Sequence, residues 1–401
     1  MQKTSSEHLA RRMVLISGFA AFVIFGIRLS FSVFFAEFIM TEGWSNESAA
    51  SIFSISMLVF AFGSTPGGIL LDRFGPRVVF TSGVLLLALG LLLSSQARSI
   101  TQLAIAYGIV GGSGLAIVGL GPLAANISAW VPPARRGRAI GVAFAGTGLG
   151  SLLFVPLVTQ LIDKLGWRGA YVVLGLICLL ILAPLLALIL RKPPSSEAKE
   201  GKINSVRGNW ELLTRNPLFW VLLLVSLMAL GPLRSLTVHQ VAYIESVGIE
   251  RQTAANYVGL AGFLTAGTFI GWGIISDKFG RATAFTLGAL CLLGAVGCLI
   301  LLRQNPSTML LLSYAVLLAL GEGTRSSQTT ALASDIFQDN GLGLVNGIVG
   351  AMFGFGAAFG PWIVGRLRDS TGSYLPGFAI IAAMIIFSIM GVLVLAFSRR
   401  R

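Results

Sequence analysis

Three arginines lie inside long apolar runs, where a permanent positive charge is energetically expensive. Arg28 lies in IFGIRLSFSVFF, Arg234 in ALGPLRSLTVHQ and Arg325 in LALGEGTRSSQTT. A guanidinium keeps its charge and offers a planar fork of N–H donors that matches a carboxylate or a phosphate. These residue types at these depths therefore predict a polar pathway in which an anion is recognised.

Two other ionisable residues accompany the arginines. Glu322 precedes Arg325 by three residues, which places both side chains on one helix face. Glu322 is therefore a candidate for proton coupling, in which protonation frees Arg325 for substrate; the alternative is an internal ion pair that only cancels charge. His239 lies about 140° around a helix from Arg234, so it is a candidate for proton coupling or for helix packing.

Long apolar runs must position these side chains. Of 401 residues, 55% are hydrophobic and only 11% are charged, whereas soluble chains average about 25% charged residues. This composition excludes disordered chains, nucleic-acid-binding domains and ordinary soluble enzymes. A helix needs about 20 apolar residues to cross a bilayer, and the sequence predicts twelve such helices, which lie near residues 13–39, 49–71, 78–96, 102–129, 138–161, 169–190, 217–244, 254–276, 283–302, 308–336, 343–366 and 375–397.

A polar stretch rich in charge, Ser and Pro separates predicted helices 6 and 7. It predicts an N-terminal six-helix bundle over residues 1–190, a cytoplasmic linker over 191–216 and a C-terminal six-helix bundle over 217–401. The first run is too long for a removable signal peptide, so we predict a spanning helix.

The basic residues give the orientation of the chain. Nineteen of the 29 Lys and Arg residues fall on the side of the termini, seven fall on the other side and three lie within the runs. The positive-inside rule then predicts a multi-pass protein of the inner (cytoplasmic) membrane with both termini in the cytoplasm. Most of the net charge of +13 is therefore an orientation signal.

The two halves repeat the same Asp, Gly and Pro residues at a nearly constant offset, which indicates a duplicated helical bundle. The offset is 205 residues for Asp72 and Asp277, Gly75 and Gly280, Gly43 and Gly248, and Pro156 and Pro361, and 206 for Asp163 and Asp369 and for Gly166 and Gly372. Arg28 and Arg234 are also 206 residues apart. They therefore lie at similar depth on symmetry-related helices 1 and 7.

The loops after helices 2 and 8 carry a recognisable motif. GGILLDRFGPR, with its weaker copy GWGIISDKFGR, resembles the signature of the major facilitator superfamily. This resemblance implies an all-α integral membrane fold with two pseudo-symmetric six-helix bundles, a central cavity lined mainly by helices 1, 4, 7 and 10, and alternating access. It also implies a gating role for the two loops, the alternative being a simple topology anchor; the candidate gating residues are Asp72, Arg73, Arg77, Asp277, Lys278 and Arg281.

Three longer segments are similar to bacterial members of the monocarboxylate and oxalate/formate porter group. They are GWSNESAASIFSISMLVFAFGSTPGGILLDRFGPR, HQVAYIESVGIERQTAANYVGLAG and GPWIVGRLRDSTGSY. Helices 8 and 11 lack the Lys or Arg that porters of this group often place there. An arginine in each of helices 1 and 7 also resembles the organophosphate/phosphate antiporters, and helix 5 lacks the G-P-x-x-G-G pattern of drug/proton antiporters.

The sequence and these resemblances favour a secondary active transporter that moves a small organic anion, a mono- or dicarboxylate, by alternating access. The alternatives are a phosphate-ester or inorganic-anion exchanger and a proton-driven efflux pump. The candidate substrate-binding residues are Arg28, Arg234 and Arg325, together with Tyr107 and Tyr314, which lie early in helices 4 and 10 and line the cavity or anchor at the membrane interface.

No enzyme is predicted, because the sequence has no nucleotide loop, no metal-ligand set and no nucleophile with a base at a workable spacing. The three cysteines all lie in apolar runs and predict neither a disulfide framework nor a metal site. We expect no cofactor and no nucleic acid. The expected partners are the lipid bilayer, a small anion and, as a candidate coupling ion, the proton, and we expect a monomer.

Overall fold

The computed structural model of the chain describes residues 2–132, 135–192, 213–337 and 342–398. Their ordered elements are all helical and form twelve rods, which we number α1 to α12. Each rod covers one of the predicted apolar runs, so the predicted all-α fold is confirmed.

The rods of the N-terminal half contain several interruptions. α1 consists of Gln2–Leu29 and Phe31–Thr41, α2 is Asn46–Phe74 and α3 is Pro76–Ser95. α4 runs through Ile100–Leu103, the π-helical Ala104–Gly111, Gly112–Ile117 and Leu120–Trp130. Arg136–Leu176 contains α5 and the start of α6, which turn at Gly166, and α6 continues through Ile177–Leu182 and Ala183–Ile189.

The rods of the C-terminal half are continuous. They are α7 Pro217–Ser246, α8 Arg251–Phe279, α9 Arg281–Leu302, α10 Thr308–Ile336, α11 Leu342–Thr371 and α12 Leu375–Ser398. Residues 193–212 of the predicted linker lie outside the described residues, and the predicted domain boundaries remain a prediction.

Ten helices of the described chain are long and apolar enough to cross a membrane. One of them, Arg136–Ile189, contains both α5 and α6. The rod that falls short is α10, whose apolar run is interrupted by Glu322 and Arg325. The one rod that falls short is therefore the rod that carries two of the predicted functional residues.

The internal repeat is visible in the backbone. All six residues of the described chain with positive φ are glycines, and they form the predicted pairs Gly43 and Gly248, Gly75 and Gly280, and Gly166 and Gly372. A left-handed φ is costly for any residue with a Cβ, so glycine is required at each of these turns. The glycines that repeat in the sequence therefore form equivalent turns in the two halves.

The repeat also governs helix packing. α1 crosses α5 so closely that a Cβ on Gly150 would overlap the carbonyl oxygen of Phe22. α7 crosses α11 in the same way, where a Cβ on Gly356 would overlap the carbonyl oxygen of Leu227. Small residues allow this backbone approach between membrane helices, and each half is built around one such crossing.

The halves meet along two seams, α2 with α11 and α5 with α8. We call the side that carries Gly75, Gly280 and both termini the terminal side, and the side that carries Gly43 and Gly248 the opposite side. The Ser54 hydroxyl of α2 donates to the Ala358 carbonyl of α11 at 2.5 Å. In the other seam, a Cβ on Gly259 of α8 would lie 3.0 Å from the carbonyl oxygen of Ser151.

Candidate functional site

A cavity of about 740 Å³ lies between the two halves. It extends from the middle of α1 and α7 towards the terminal side, because its lining includes the terminal-side ends of α2, α4, α10 and α11. The lining residues are Phe25, Arg28, Met57, Phe60, Ala61, Gly68, Leu71, Ala116, Gly119, Leu120, Gly121, Pro122, Ala125, Leu230, Arg234, Ser326, Thr330, Asn346, Val349, Gly350, Phe353, Gly354 and Ala357. Helices 1, 4, 7 and 10 contribute as the resemblance implies, and α2 and α11 contribute as well.

Arg28 lies at the closed end of this cavity. One of its terminal nitrogens is 3.1 Å from Met57 Sδ, and its guanidinium carbon is 4.9 Å from the Phe60 ring centre and 5.6 Å from that of Phe25. Within the described residues, no carboxylate lies within ion-pair distance of Arg28. Aromatic faces and a thioether attract the cation without neutralising it, so Arg28 presents an uncompensated charge.

Arg234 also lines the cavity, but it has a counter-charge. Its guanidinium donates to Glu322 Oε1 of α10 at 3.1 Å, and Thr265 Oγ1 of α8 lies 3.4 Å from Oε2. Arg28 is within electrostatic range of both Arg234 and Glu322. The structure therefore brings the two predicted arginines into one site, where the three ionised groups carry a net charge of +1.

α4 is broken beside this site. Gly119 has extended backbone (φ −61°, ψ 171°), and an 11-residue helix, Leu120–Trp130, starts after it. A Cβ on Gly119 would lie 3.1 Å from the Phe60 ring, which also contacts Arg28. The N-terminal end of a helix carries a partial positive charge, so the break adds to the positive potential of the cavity.

The expectation that Arg325 pairs with Glu322 is wrong in this structure. Arg325 is fully buried inside the C-terminal half, where it donates to the Ser388 hydroxyl of α12 at 3.0 Å and lies 4.8 Å from the Phe285 ring of α9. Three residues correspond to about 300° around a helix, so the two side chains point about 60° apart. That angle directs Glu322 to α7 and α8 and directs Arg325 to α9 and α12. This placement does not favour Arg325 as a substrate residue.

The two predicted tyrosines are buried and do not line the cavity. Tyr107 packs its ring 5.2 Å from that of Phe31 and lies within electrostatic range of Arg28. The Tyr314 hydroxyl donates to Gln240 Oε1 at 2.7 Å. Both tyrosines lie behind the cavity wall and position α4 and α10 rather than contact the cavity.

His239 lies on the opposite side, away from Glu322. Its Nε2 is 2.9 Å from the Pro361 carbonyl, so Nε2 carries the proton, and its ring meets the Phe35 ring edge-on at 4.6 Å. Phe35 belongs to the N-terminal half and His239 to the C-terminal half. This geometry favours the packing role over the proton-coupling role for His239.

Polar contacts join the two halves on the opposite side. Asp369, at the end of α11, accepts from the backbone N–H of Asn46 at 3.0 Å and of Glu47 at 2.7 Å, and so caps the N-terminus of α2. Arg251, at the start of α8, pairs with Glu37 of α1 and with Glu245 of α7. Both contacts link the N-terminal half to the C-terminal half.

Another acid on the opposite side, Glu42, stabilises the loop after α1. It accepts from Trp167 Nε1 at 2.9 Å and from Arg168 at 2.8 Å. Burial raises the pKa of the Glu42 carboxyl, but these two hydrogen bonds and the charge of Arg168 outweigh it, so the pKa is lowered from its ordinary value.

The predicted gating residues lie on the terminal side. Arg73, Arg77, Asp277 and Lys278 are exposed, and the Asp72 side chain lies outside the described residues. Arg281 pairs with Asp335 at 2.6 Å, which joins α9 to α10 within one half. The gating role of the two loops remains a prediction.

Sequence reasoning missed the apolar part of the site. Met57, Phe60 and Thr265 contact the arginines or their counter-charge, yet apolar residues and a threonine in an apolar run carry no distinguishing signal. The one available signal is the spacing of Met57 and Phe60, because residues three apart lie on one helix face and can contact the same arginine. Within the described residues, no group of His, Cys, Asp and Glu is arranged to hold a metal ion.

The described helices enclose a central cavity that opens to one side, while contacts between the two halves close the other side, and this architecture is typical of a transporter. The family model of the Major Facilitator Superfamily matches residues 15–314 and 272–401. The chain belongs to this superfamily, and it is a secondary transporter rather than an enzyme.

Known relatives agree with this assignment. Monocarboxylate transporter 13 of Bos taurus is 30% identical over 389 residues, which cover 93% of this chain and 86% of that protein. The oxalate:formate antiporter of Oxalobacter formigenes is 28% identical over 260 residues, covering 65% of this chain and 61% of that protein. A bacterial homologue of the lysosomal transporter Spinster, in an inward-facing and unoccupied conformation, shares the fold with a TM-score of 0.72 at 16% identity over 98% of this chain and 97% of that chain.

Proposed function

We propose that the protein transports a small organic monoanion, of the monocarboxylate class, which binds between Arg28 and Arg234 and crosses by alternating access. The observation behind this proposal is the charge balance at the closed end of the cavity. Arg234 is paired with Glu322, whereas among the described residues Arg28 contacts Met57 and two aromatic rings and has no carboxylate within ion-pair distance. One uncompensated positive charge is best matched by one carboxylate.

The cost of an uncompensated charge supports this substrate class. A buried charge without a partner is destabilising, and an anion that pairs with it relieves that penalty. A dicarboxylate or a phosphate ester brings about two negative charges at neutral pH, which fit only when Glu322 is neutral. The names of the relatives, a monocarboxylate transporter and an oxalate:formate antiporter, agree with a carboxylate substrate.

Glu322 is the proposed proton carrier. Substrate that contacts Arg234 competes with Glu322 for the same guanidinium, so anion binding and the charge state of Glu322 are linked. Uptake is then expected to respond to an imposed pH gradient and to lose that response in Glu322→Gln. Exchange that ignores pH in both proteins would point to anion antiport instead.

The contacts between the two halves support alternating access. The cavity is open towards the terminal side while the Asp369 and Arg251 contacts close the opposite side. We propose that rocking of the halves separates these contacts and closes the loops around Gly75 and Gly280. The excess of basic residues on the terminal side supports an orientation with both termini in the cytoplasm.

Counterflow in proteoliposomes tests the proposal with lactate, pyruvate, oxalate, succinate and glycerol 3-phosphate as probes. Loss of a buried charge-assisted contact costs about 2 to 5 kcal/mol, so Arg28→Gln should raise the half-saturation concentration at least about 30-fold. Arg234→Gln should do the same, and Arg98→Gln, an exposed arginine far from the cavity, is the control. Unchanged counterflow of every probe in Arg28→Gln and Arg234→Gln would refute the site.

A further inference from the structure

A second polar cavity lies on the opposite side, within the C-terminal half. It has a volume of about 540 Å³ and lies where α7, α9, α11 and α12 end or begin. We call it the opposite-side cleft and define it by Tyr243, Ser246, Arg303, Arg368, Ser373 and Tyr374. The seam between the halves is closed beside it, so this cleft and the central cavity are separate.

The arginines of this cleft differ from other arginines on the same side. Arg168, Arg251 and Arg366 each have a carboxylate within 4 Å. Among the described residues, neither Arg303 nor Arg368 has such a partner. Two like charges that face one cavity repel each other, and an anion between them removes the repulsion.

The other polar groups of the cleft are already engaged. The Tyr243 hydroxyl donates to the Leu299 carbonyl at 2.8 Å, and the Ser246 hydroxyl donates to the Tyr243 carbonyl at 2.7 Å. The Tyr374 hydroxyl donates to Asn46 Oδ1 at 3.0 Å. The Ser373 hydroxyl accepts from the backbone N–H of Leu375 at 3.2 Å. The two guanidinium groups are therefore the charged donors of the cleft, and among the described residues no carboxylate lies within ion-pair distance of either.

The Tyr374 ring forms the wall between the cleft and the seam. The Arg368 guanidinium lies 5.2 Å from the centre of this ring, which holds it at the cleft. The hydroxyl of the same tyrosine reaches across the seam to Asn46, next to the cap formed by Asp369. A ligand on Arg368 therefore lies directly beside the contact that closes the opposite side.

We propose that the opposite-side cleft is an oxyanion-binding site, in which Arg303 and Arg368 hold a carboxylate or a phosphate group independently of the central cavity. A guanidinium binds either group through paired N–H donors. The oxyanion belongs either to a small anion in solution or to a lipid headgroup in the membrane. The two sources can therefore be supplied separately. The site does not depend on which substrate the central cavity transports.

Protection of an introduced thiol tests this site in nanodiscs. Cys178, Cys291 and Cys298 are first replaced by alanine, and Ser373→Cys is then labelled with the neutral reagent N-ethylmaleimide. Millimolar succinate or inorganic phosphate, at constant ionic strength in phosphatidylcholine discs, should slow labelling at least threefold. Ser370→Cys, an exposed position just outside the cleft, is the matched control and should show no protection.

Three double variants decide which residues are responsible. Arg303→Gln with Arg368→Gln should remove the protection, and Arg303→Lys with Arg368→Lys should restore part of it. Arg28→Gln with Arg234→Gln should leave it unchanged. Protection that persists in the first double variant, or is lost in the last, overturns the proposal.

Lipid composition distinguishes the two sources. If discs with phosphatidylglycerol slow labelling without any soluble anion, the occupant is a lipid headgroup. If only succinate or phosphate slows labelling, the occupant is a soluble anion. No protection of Ser373→Cys in either kind of disc, compared with Ser370→Cys, overturns the oxyanion site.

Discussion

Replacing Glu322 by glutamine should change which anions the central cavity prefers. The glutamine side chain keeps the shape and an oxygen that can accept the hydrogen bond from Arg234, but it removes the negative charge. The net charge of the Arg28, Arg234 and Glu322 group then rises from +1 to +2. A dianion is expected to gain affinity relative to a monoanion.

The distance in the ion pair sets the size of the effect. At 3.1 Å and an effective dielectric constant of about 20, a pair of unit charges interacts by about 5 kcal/mol. Desolvation of the second negative charge offsets most of this gain. If one quarter of the interaction energy remains, about 1.4 kcal/mol, the relative affinity still changes about tenfold.

Competition in proteoliposomes measures this change. The ratio of the inhibition constants of succinate and lactate should shift at least about tenfold towards succinate in Glu322→Gln. Glu42→Gln is the matched control, because Glu42 lies in the loop after α1 and pairs with Arg168 outside the cavity. If a folded, transporting Glu322→Gln protein has the same ratio as the unmodified protein, charge balance does not set the selectivity.

The other predictions concern the opposite side. Asp369→Ala should weaken the helix cap by about 1 kcal/mol and lengthen the distance between spin labels at Lys164 and Ser370; an unchanged distance distribution would contradict a latching role. Gly365→Val should lengthen it further, because even a Cβ there lies 2.7 Å from a backbone oxygen of α2. Burial raises the pKa of Glu42 and its hydrogen bonds lower it by more, so its stabilising contribution is present above the pKa of the unfolded state and is lost as pH falls through the folded pKa. In thermal unfolding, Glu42→Gln should therefore be less stable by about 0.5 to 1 kcal/mol at pH 7, and a deficit that persists in acid would disprove this origin.

The depth of the arginines was predictable, but their partners were not. Arg28 and Arg234 interrupt apolar runs at nearly the same distance from a repeated turn, so sequence alone places them at one level of the membrane. Glu322 and Arg325 illustrate the limit. Their spacing predicts one helix face, yet the rotation of α10 within its half decides that one faces α7 and the other α12.

The sequence by itself determined the twelve rods, the duplicated turns and the presence of charge within the membrane. Apolar length and the left-handed φ of glycine are local properties, which each segment carries with it. Only the tertiary structure decided that Arg234 is neutralised while Arg28 is not, and that Met57 and Phe60 hold Arg28 at the cavity. A counter-charge depends on which helix faces approach, and that is set by the packing of all twelve rods.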